Sequence, residues 1–295
     1  MRTASESKAI VVGVDRSARS LDALRWAAGQ ARLRGTGLHL VTAWEVSATW
    51  SLGWPPVPRG LDAAERVVTD LAGMVEEELA GFEDLDIRTS DVEGHPGAVL
   101  VAASTGADML VVGSRGHGNV AGKLLGSVSQ RCLSGATCPV AVVHGPTDSD
   151  EIVVGVDGSP SSLEALEWAA GEAQLSGGCL RAMTAWEWPA AYGMYVTAFD
   201  PATDARRLLE DALRTTQARH LSLKVEARVE QGAPARLLTR SSGHAGLLVV
   251  GSRGRGPVKG TLLGSVSQYC AAHAQCPVLV YRTGRRVPRA SSDAA

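Results

Sequence analysis

The chain repeats itself. Ile10-Val11-Val12-Gly13-Val14-Asp15 recurs as Ile152-Val153-Val154-Gly155-Val156-Asp157, and Thr42-Ala43-Trp44-Glu45 as Thr184-Ala185-Trp186-Glu187, both 142 residues on. The run over 110–144 recurs over 248–282, now 138 residues on, with 23 of 35 positions identical. A period near 140 residues is a whole domain, because solenoid units span only roughly 20–45 residues. The 295 residues therefore predict two copies of one fold, 1–146 and 147–295, joined through the polar stretch Gly145-Pro146-Thr147-Asp148-Ser149-Asp150. The tail from about 284, rich in Arg and ending RASSDAA, is expected to be disordered.

Within each copy, short apolar runs alternate with longer amphipathic stretches. In the first copy strands are predicted over 9–14, 38–43, 86–92, 109–113 and 139–143. Helices are predicted over 18–34, 61–81, 96–104 and 127–136; Leu21, Leu24, Trp26, Ala28 and Leu33 give the first of them an apolar face. Continuous runs such as IVVGV and MLVVG suit strands buried on both faces. The pattern βαβαβαβαβ thus predicts an α/β fold: two tandem doubly wound domains, each a five-stranded parallel sheet with helices on both faces.

Bulk properties exclude several classes. A 45% hydrophobic chain of net charge −2 is neither disordered nor a bulk-electrostatic nucleic-acid binder. No apolar run nears the ~20 residues a membrane span needs, and MRTASESKAI lacks a secretory apolar core, so a cytoplasmic protein with no membrane partner is expected. The five Cys are expected to be reduced. Cys132/Cys138 and Cys270/Cys276 repeat with five intervening residues, wider than zinc pairs, which favours packed thiols and no metal site. No histidine pairs with a nucleophile in a repeated arrangement, so no catalytic residue is assigned.

In an open α/β sheet, ligands sit beyond the carboxyl ends of the strands where strand order reverses. The first strand ends at Gly13 and Asp15. The fourth is followed by Gly113-Ser114-Arg115-Gly116-His117-Gly118-Asn119, then by Gly126-Ser127-Val128-Ser129. The second copy has Gly155 and Asp157, Gly251-Ser252-Arg253-Gly254-Arg255-Gly256, and Gly264-Ser265-Val266-Ser267. These residues point to polyphosphate. Gly113 and Gly116 would let an anion approach backbone N–H groups, and Gly126-Ser127 opens a helix whose free N–H groups favour it. Ser127 and Ser129 would add hydroxyl donors, and Arg115 a charge. Carboxylates placed at Gly113 and Gly251 are then expected to abolish binding with the fold intact. Asp15 and Asp157 suit either a ligand amino or hydroxyl group or bracing of the next helix through Ser17 and Ser159. Gly118 to Lys123 mimics a P-loop with too short a spacer, and Gly116 to Ala121 mimics a dinucleotide fingerprint after the wrong strand; both are set aside.

Gly-x2-Gly-x9-Gly-Ser after the fourth strand, present twice with a first-strand Asp, resembles the universal stress protein family, in its tandem actinobacterial, ATP-binding form. The similarity spans nearly all of 8–283. The resemblance implies strand order 3-2-1-4-5, Asp15 with Ala43 (Asp157 with Ala185) at the adenosine, and the glycine loop and Gly-Ser helix start at the phosphates. It implies ATP as cofactor, any Mg²⁺ being held mainly by the phosphates. It also implies an intrachain pseudo-dimer through 139–143 and 277–281, a homodimer, and a regulatory protein partner. The function implied is a nucleotide-dependent sensor or switch in stress response or growth regulation. The rivals are a weak ATPase, a flavin domain and a scaffold without ligand. Trp44 and Trp186 are placed for packing or for adenine stacking. The Pro- and aromatic-rich stretches 47–58 and 188–201 suit a partner surface or a lid equally.

Overall fold

The computed structural model describes residues 9–45, 73, 77–116, 125–188, 200–254 and 263–282. Two compact units divide the chain, Met1–Val143 and His144–Ala295. The first contains β1 (Ala9–Gly13), α1 (Ala18–Arg34), β2 (Gly37–Trp44), β3 (Ile87–Glu93), α2 (Pro96–Ala103), β4 (Met109–Gly113), α3 (Ser127–Gly135) and β5 (Val140–Val143). The second contains β6 (Ile152–Gly155), α4 (Pro160–Ser176), β7 (Leu180–Trp186), α5 (Pro201–Arg219), β8 (Val225–Gln231), α6 (Pro234–Ser241), β9 (Leu247–Gly251), α7 (Ser265–His273) and β10 (Val278–Tyr281). Of the helix predicted over 61–81, Gly73, Glu77 and Glu78 are helical and Leu79 is buried; the other positions fall largely outside the described residues.

The predicted strand order holds within each unit, β3-β2-β1-β4-β5 and β8-β7-β6-β9-β10. Every pairing along these two orders is parallel. The inner strands read as continuous apolar runs because both of their faces are covered: all of Met109–Val112 and Val140–Val143 are buried. In the first unit α1 packs on β1, β4 and β5, while α2 and α3 pack on one another and on the strands. The second unit repeats this with α4 and with the pair α6 and α7. Order reverses between β1 and β4, and between β6 and β9. Those two carboxyl-end crevices are where a ligand is expected.

The buried stripe of α1 differs from the predicted one. It runs through Ser20, Ala23, Leu24, Ala27, Ala28 and Ala31, while Leu21, Trp26 and Leu33 are only half-buried. Small side chains allow the helix to lie close on the sheet, and the larger apolar residues flank the contact. The closeness matters at the site.

The four cysteines at the α3–β5 and α7–β10 junctions are buried, and Cys179 is half-buried. Burial pushes the thiols of Cys132, Cys270 and Cys276 up to about 12. A thiol reacts as its thiolate, so these groups are inert in the folded chain. Ellman's reagent at pH 8 is expected to modify Cys179 alone in the native protein and all five thiols in urea. Fast labelling of a second native thiol would contradict this packing.

Candidate nucleotide site

In the second unit the β6–α4 turn brings Asp157 to the strand ends. Its Oδ1 accepts hydrogen bonds from the Ser159 N–H (2.9 Å) and Ser159 Oγ (2.6 Å). Ser159 in turn caps α4, accepting from the Ser162 N–H. Asp15 does the same through Ser17 at 3.0 and 2.6 Å, with Ser17 capping α1. Both aspartates therefore brace the cap.

Their other carboxylate oxygen faces the glycine loop. A Cβ on Gly254 would stand 2.6 Å from Asp157 Oδ2, and one on Gly116 would collide with Asp15 Oδ2. A side chain on Gly116 or Gly254 would have to displace that carboxylate oxygen.

Gly113 and Gly251 have a different reason. A Cβ on Gly113 would lie 2.7 Å from the Arg19 carbonyl oxygen, and one on Gly251 would lie 2.6 Å from Ser161 Oγ and 2.8 Å from its carbonyl carbon. The missing side chain makes room for the first turn of α1 or α4. This overturns the expectation that Gly113→Glu with Gly251→Glu would leave the fold intact. Gly13 and Gly155 likewise face a leucine, Leu100 and Leu238, at 2.6 and 2.8 Å.

Gly126 and Gly264 stand apart. Each is the N-cap of its helix with ordinary extended geometry, φ −69° and −74°, and makes no side-chain cap. Among the described residues a Cβ on Gly126 would meet nothing closer than 3.4 Å, and one on Gly264 nothing closer than 3.3 Å. No backbone atom among those residues lies closer than 3.4 Å to either Cβ position. Glycine supplies no side chain to cap the first N–H groups of α3 and α7.

The hydroxyls of Ser129 and Ser267 are directed to backbone carbonyls. Ser129 Oγ donates to the Gly113 carbonyl at 2.7 Å, and Ser267 Oγ to the carbonyls of Ser252 and Gly264, both at 3.3 Å. A hydroxyl has one proton, so these serines tie the helix start to the end of the fourth strand. Ser114 and Ser252 are buried under the loop, their N–H groups donating to Val143 and Tyr281 carbonyls. Ser127 and Arg115 are exposed, and Ala43 and Val128 half-buried. His117, Gly118, Asn119, Arg255 and Gly256 lie outside the described residues, as do most of 47–58 and 188–201.

A cavity of about 500 Å³ opens at the carboxyl ends of β6, β7 and β9. That is the size of a small-molecule site. Its lining includes Gly155, Asp157, Ala185, Gly251, Arg253, Gly254, Gly264, Ser265, Val266 and Ser267, all named from the sequence. The sequence reading missed its apolar wall, Met183 and Thr184 of β7 with Pro234, Leu237 and Leu238 of α6. A signal existed: Gly232-Ala233-Pro234 with Leu237-Leu238 repeats Gly94-His95-Pro96 with Val99-Leu100 at the same offset of 138. Trp186 is not in the lining; it packs edge-on against Trp188 at 5.9 Å. The site thus combines an apolar wall with a glycine loop, an arginine and a helix start. A second cavity, between α4 and α5, is lined by Glu164, Glu167, Asp204 and Asp211 and is electrostatically unsuited to phosphate. Among the described residues no group of three or more His, Cys, Asp or Glu is arranged to hold a metal, and no helix is long and apolar enough to cross a membrane.

Fold and crevice together define a tandem doubly wound α/β protein with a glycine-loop site at the switch point of its strand order. The universal stress protein family model matches residues 6–144 and 149–282. A universal stress protein of Mycolicibacterium smegmatis is 36% identical over 293 residues, covering 92% of this chain and 96% of that one. Universal stress protein Rv2623 of Mycobacterium tuberculosis is 34% identical over 308 residues, covering 96% and 99%. The crystal structure of a universal stress protein from Archaeoglobus fulgidus shares the fold, with a TM-score of 0.69 at 21% identity over 94% of this chain and 96% of that one. The chain belongs to the universal stress protein family.

Proposed function

We propose that the chain binds an adenine nucleotide, ATP foremost, in each repeat, and works as a nucleotide-dependent sensor or switch in stress response or growth regulation. The observation carrying this reading is Gly264 at the cavity. It has ordinary backbone angles, and among the described residues a Cβ there would press only on Ser267 Oγ, at 3.3 Å; as glycine it puts no side chain over the start of α7, where the cavity lining includes Ser265 and Val266. A helix start in that condition attracts phosphate through its N–H groups and dipole. The apolar wall of Met183, Pro234 and Leu238 suits the base, and Asp157 suits a ribose hydroxyl or amino group. The first repeat carries the same residues in Asp15, Gly116, Gly126 and Ser127.

Binding, not turnover, is the proposed activity. Phosphoryl transfer needs a positioned nucleophile and carboxylates to hold Mg²⁺ near the phosphates. Asp157 is the cavity's one lining carboxylate among the described residues, and its Oδ1 is committed to Ser159. Any hydrolysis is accordingly slow.

Denaturing the purified protein and chromatographing what it releases tests the reading directly. Adenine nucleotide approaching two per chain is expected, either as purified or after ATP is added back. A blank in both conditions would leave a scaffold as the better reading.

A further inference from the structure

We propose that the two sites are not equivalent, and that Ser161 is the positioning residue that makes the second-unit site the tighter one; this rests on the nucleotide reading above. The difference lies in how each glycine loop is held to the helix beside it. In the second unit the Arg253 N–H donates to Ser161 Oγ at 3.3 Å, and Ser161 Oγ donates back to the Arg253 carbonyl. Ser161 is buried, so water does not compete for these bonds. Ser159 Oγ lies 3.2 Å from the same carbonyl, although its proton is directed chiefly to Asp157 at 2.6 Å.

In the first unit Arg19 occupies the position of Ser161, and its guanidinium pairs with Asp22 at 3.1 Å. The Arg115 carbonyl is left with a share of the Ser17 hydroxyl at 3.4 Å, while that proton goes to Asp15 at 2.6 Å. The neighbouring turn differs in the same sense. Gly158 takes φ +77° without steric cost, whereas its counterpart Arg16 is forced to φ +64°.

A loop that presents backbone N–H groups to phosphate binds best when those groups are already aimed. Any ordering left until binding is subtracted from affinity. Arg253 is fixed at both its N–H and its carbonyl, one residue before Gly254. Arg115 has no such two-point anchor among the described hydrogen bonds. One dedicated hydrogen bond changes an equilibrium by about tenfold. The second-unit site should therefore fill first and the first-unit site about a decade higher in concentration. The pair would then report nucleotide level over a wider range than two identical sites.

The test uses the full chain stripped of nucleotide and titrated calorimetrically with ATP. Two phases separated by about tenfold are expected. Gly126→Asp is used to isolate the second-unit site and Gly264→Asp the first. Ser161→Ala should weaken the second-unit site about tenfold. Arg19→Ser should tighten the first-unit site, a gain that a merely structural serine would not produce, and one still readable if Ser161→Ala fails to fold. Equal affinities in the two single-site chains, or a first-unit site that binds more tightly through its extra arginine, would overturn the inequivalence and leave the nucleotide reading standing. No heat of binding from the unaltered chain, with no released nucleotide, would overturn both.

Discussion

Gly126→Asp should lower ATP affinity in the first repeat at least about a hundredfold while leaving the protein as stable as before, and Gly264→Asp should do the same in the second. The two effects are opposed because one set of N–H groups serves both. Aspartate is among the best N-cap residues, and φ −69°, ψ 153° at Gly126 and φ −74°, ψ 155° at Gly264 are backbone angles it adopts without strain. Among the described residues its Cβ meets nothing closer than 3.4 Å at Gly126 and only Ser267 Oγ, at 3.3 Å, inside that distance at Gly264, and its carboxylate can accept from the N–H groups of the first turn. Capping and the helix dipole together are worth a few tenths to about 1 kcal/mol in favour of the fold. A phosphate, however, loses the same N–H groups and meets a negative charge in their place. Calorimetric titration with ATP, beside thermal unfolding of each variant, reads both effects. Binding that survives in a folded Gly126→Asp, Gly264→Asp double variant would show that the helix starts are not the anion slot.

How far the site could be read from residues depends on what a letter hides. The strands were legible because the repeat doubled each signal and the inner strands are unbroken apolar runs, whereas the order 3-2-1-4-5 came only with the resemblance to the universal stress protein family. Asp157, Gly254 and Gly264 were legible as one cluster because that topology brings the ends of β6 and β9 together. The roles within the cluster were not. Ser129 and Ser267 look like phosphate donors in a Gly-Ser-Val-Ser string, and only the structure shows their protons directed to the carbonyls of Gly113, Ser252 and Gly264. The apolar wall from α6 escaped because Leu237 and Leu238 look like ordinary core residues in sequence. Ser161 escaped for a related reason. Its importance is a difference from Arg19 at the matching position, and a search for similarity between copies passes over differences.

Glycine hides most of all, and the second large prediction turns on it. Gly113→Ala should destabilise the first unit by about 2–4 kcal/mol, a penalty expected when a buried contact is overpacked against atoms that cannot move. The added methyl would stand 2.7 Å from the Arg19 carbonyl oxygen, 2.8 Å from its carbon and 3.0 Å from the Ser20 nitrogen. These are backbone atoms in the first turn of α1, and the Ser20 N–H is bound to the Ser17 cap at 3.3 Å. Retreat of that turn would lift the small-residue stripe of Ala23, Ala27 and Ala31 off the sheet. Gly251→Ala carries a further consequence. Its methyl would meet Ser161 Oγ at 2.6 Å and displace the hydroxyl from Arg253, so stability and ATP affinity should fall together. Urea unfolding of the two alanine variants, set beside Gly126→Ala, separates the two kinds of glycine in one motif: large losses at Gly113 and Gly251, and little change at Gly126, where the nearest atom among the described residues would be 3.4 Å away. If Gly113→Ala proves as stable as Gly126→Ala, the close approach of α1 to the end of β4 is not a requirement of the fold. Gly113 would then have to be glycine for a ligand, the role proposed above for Gly126.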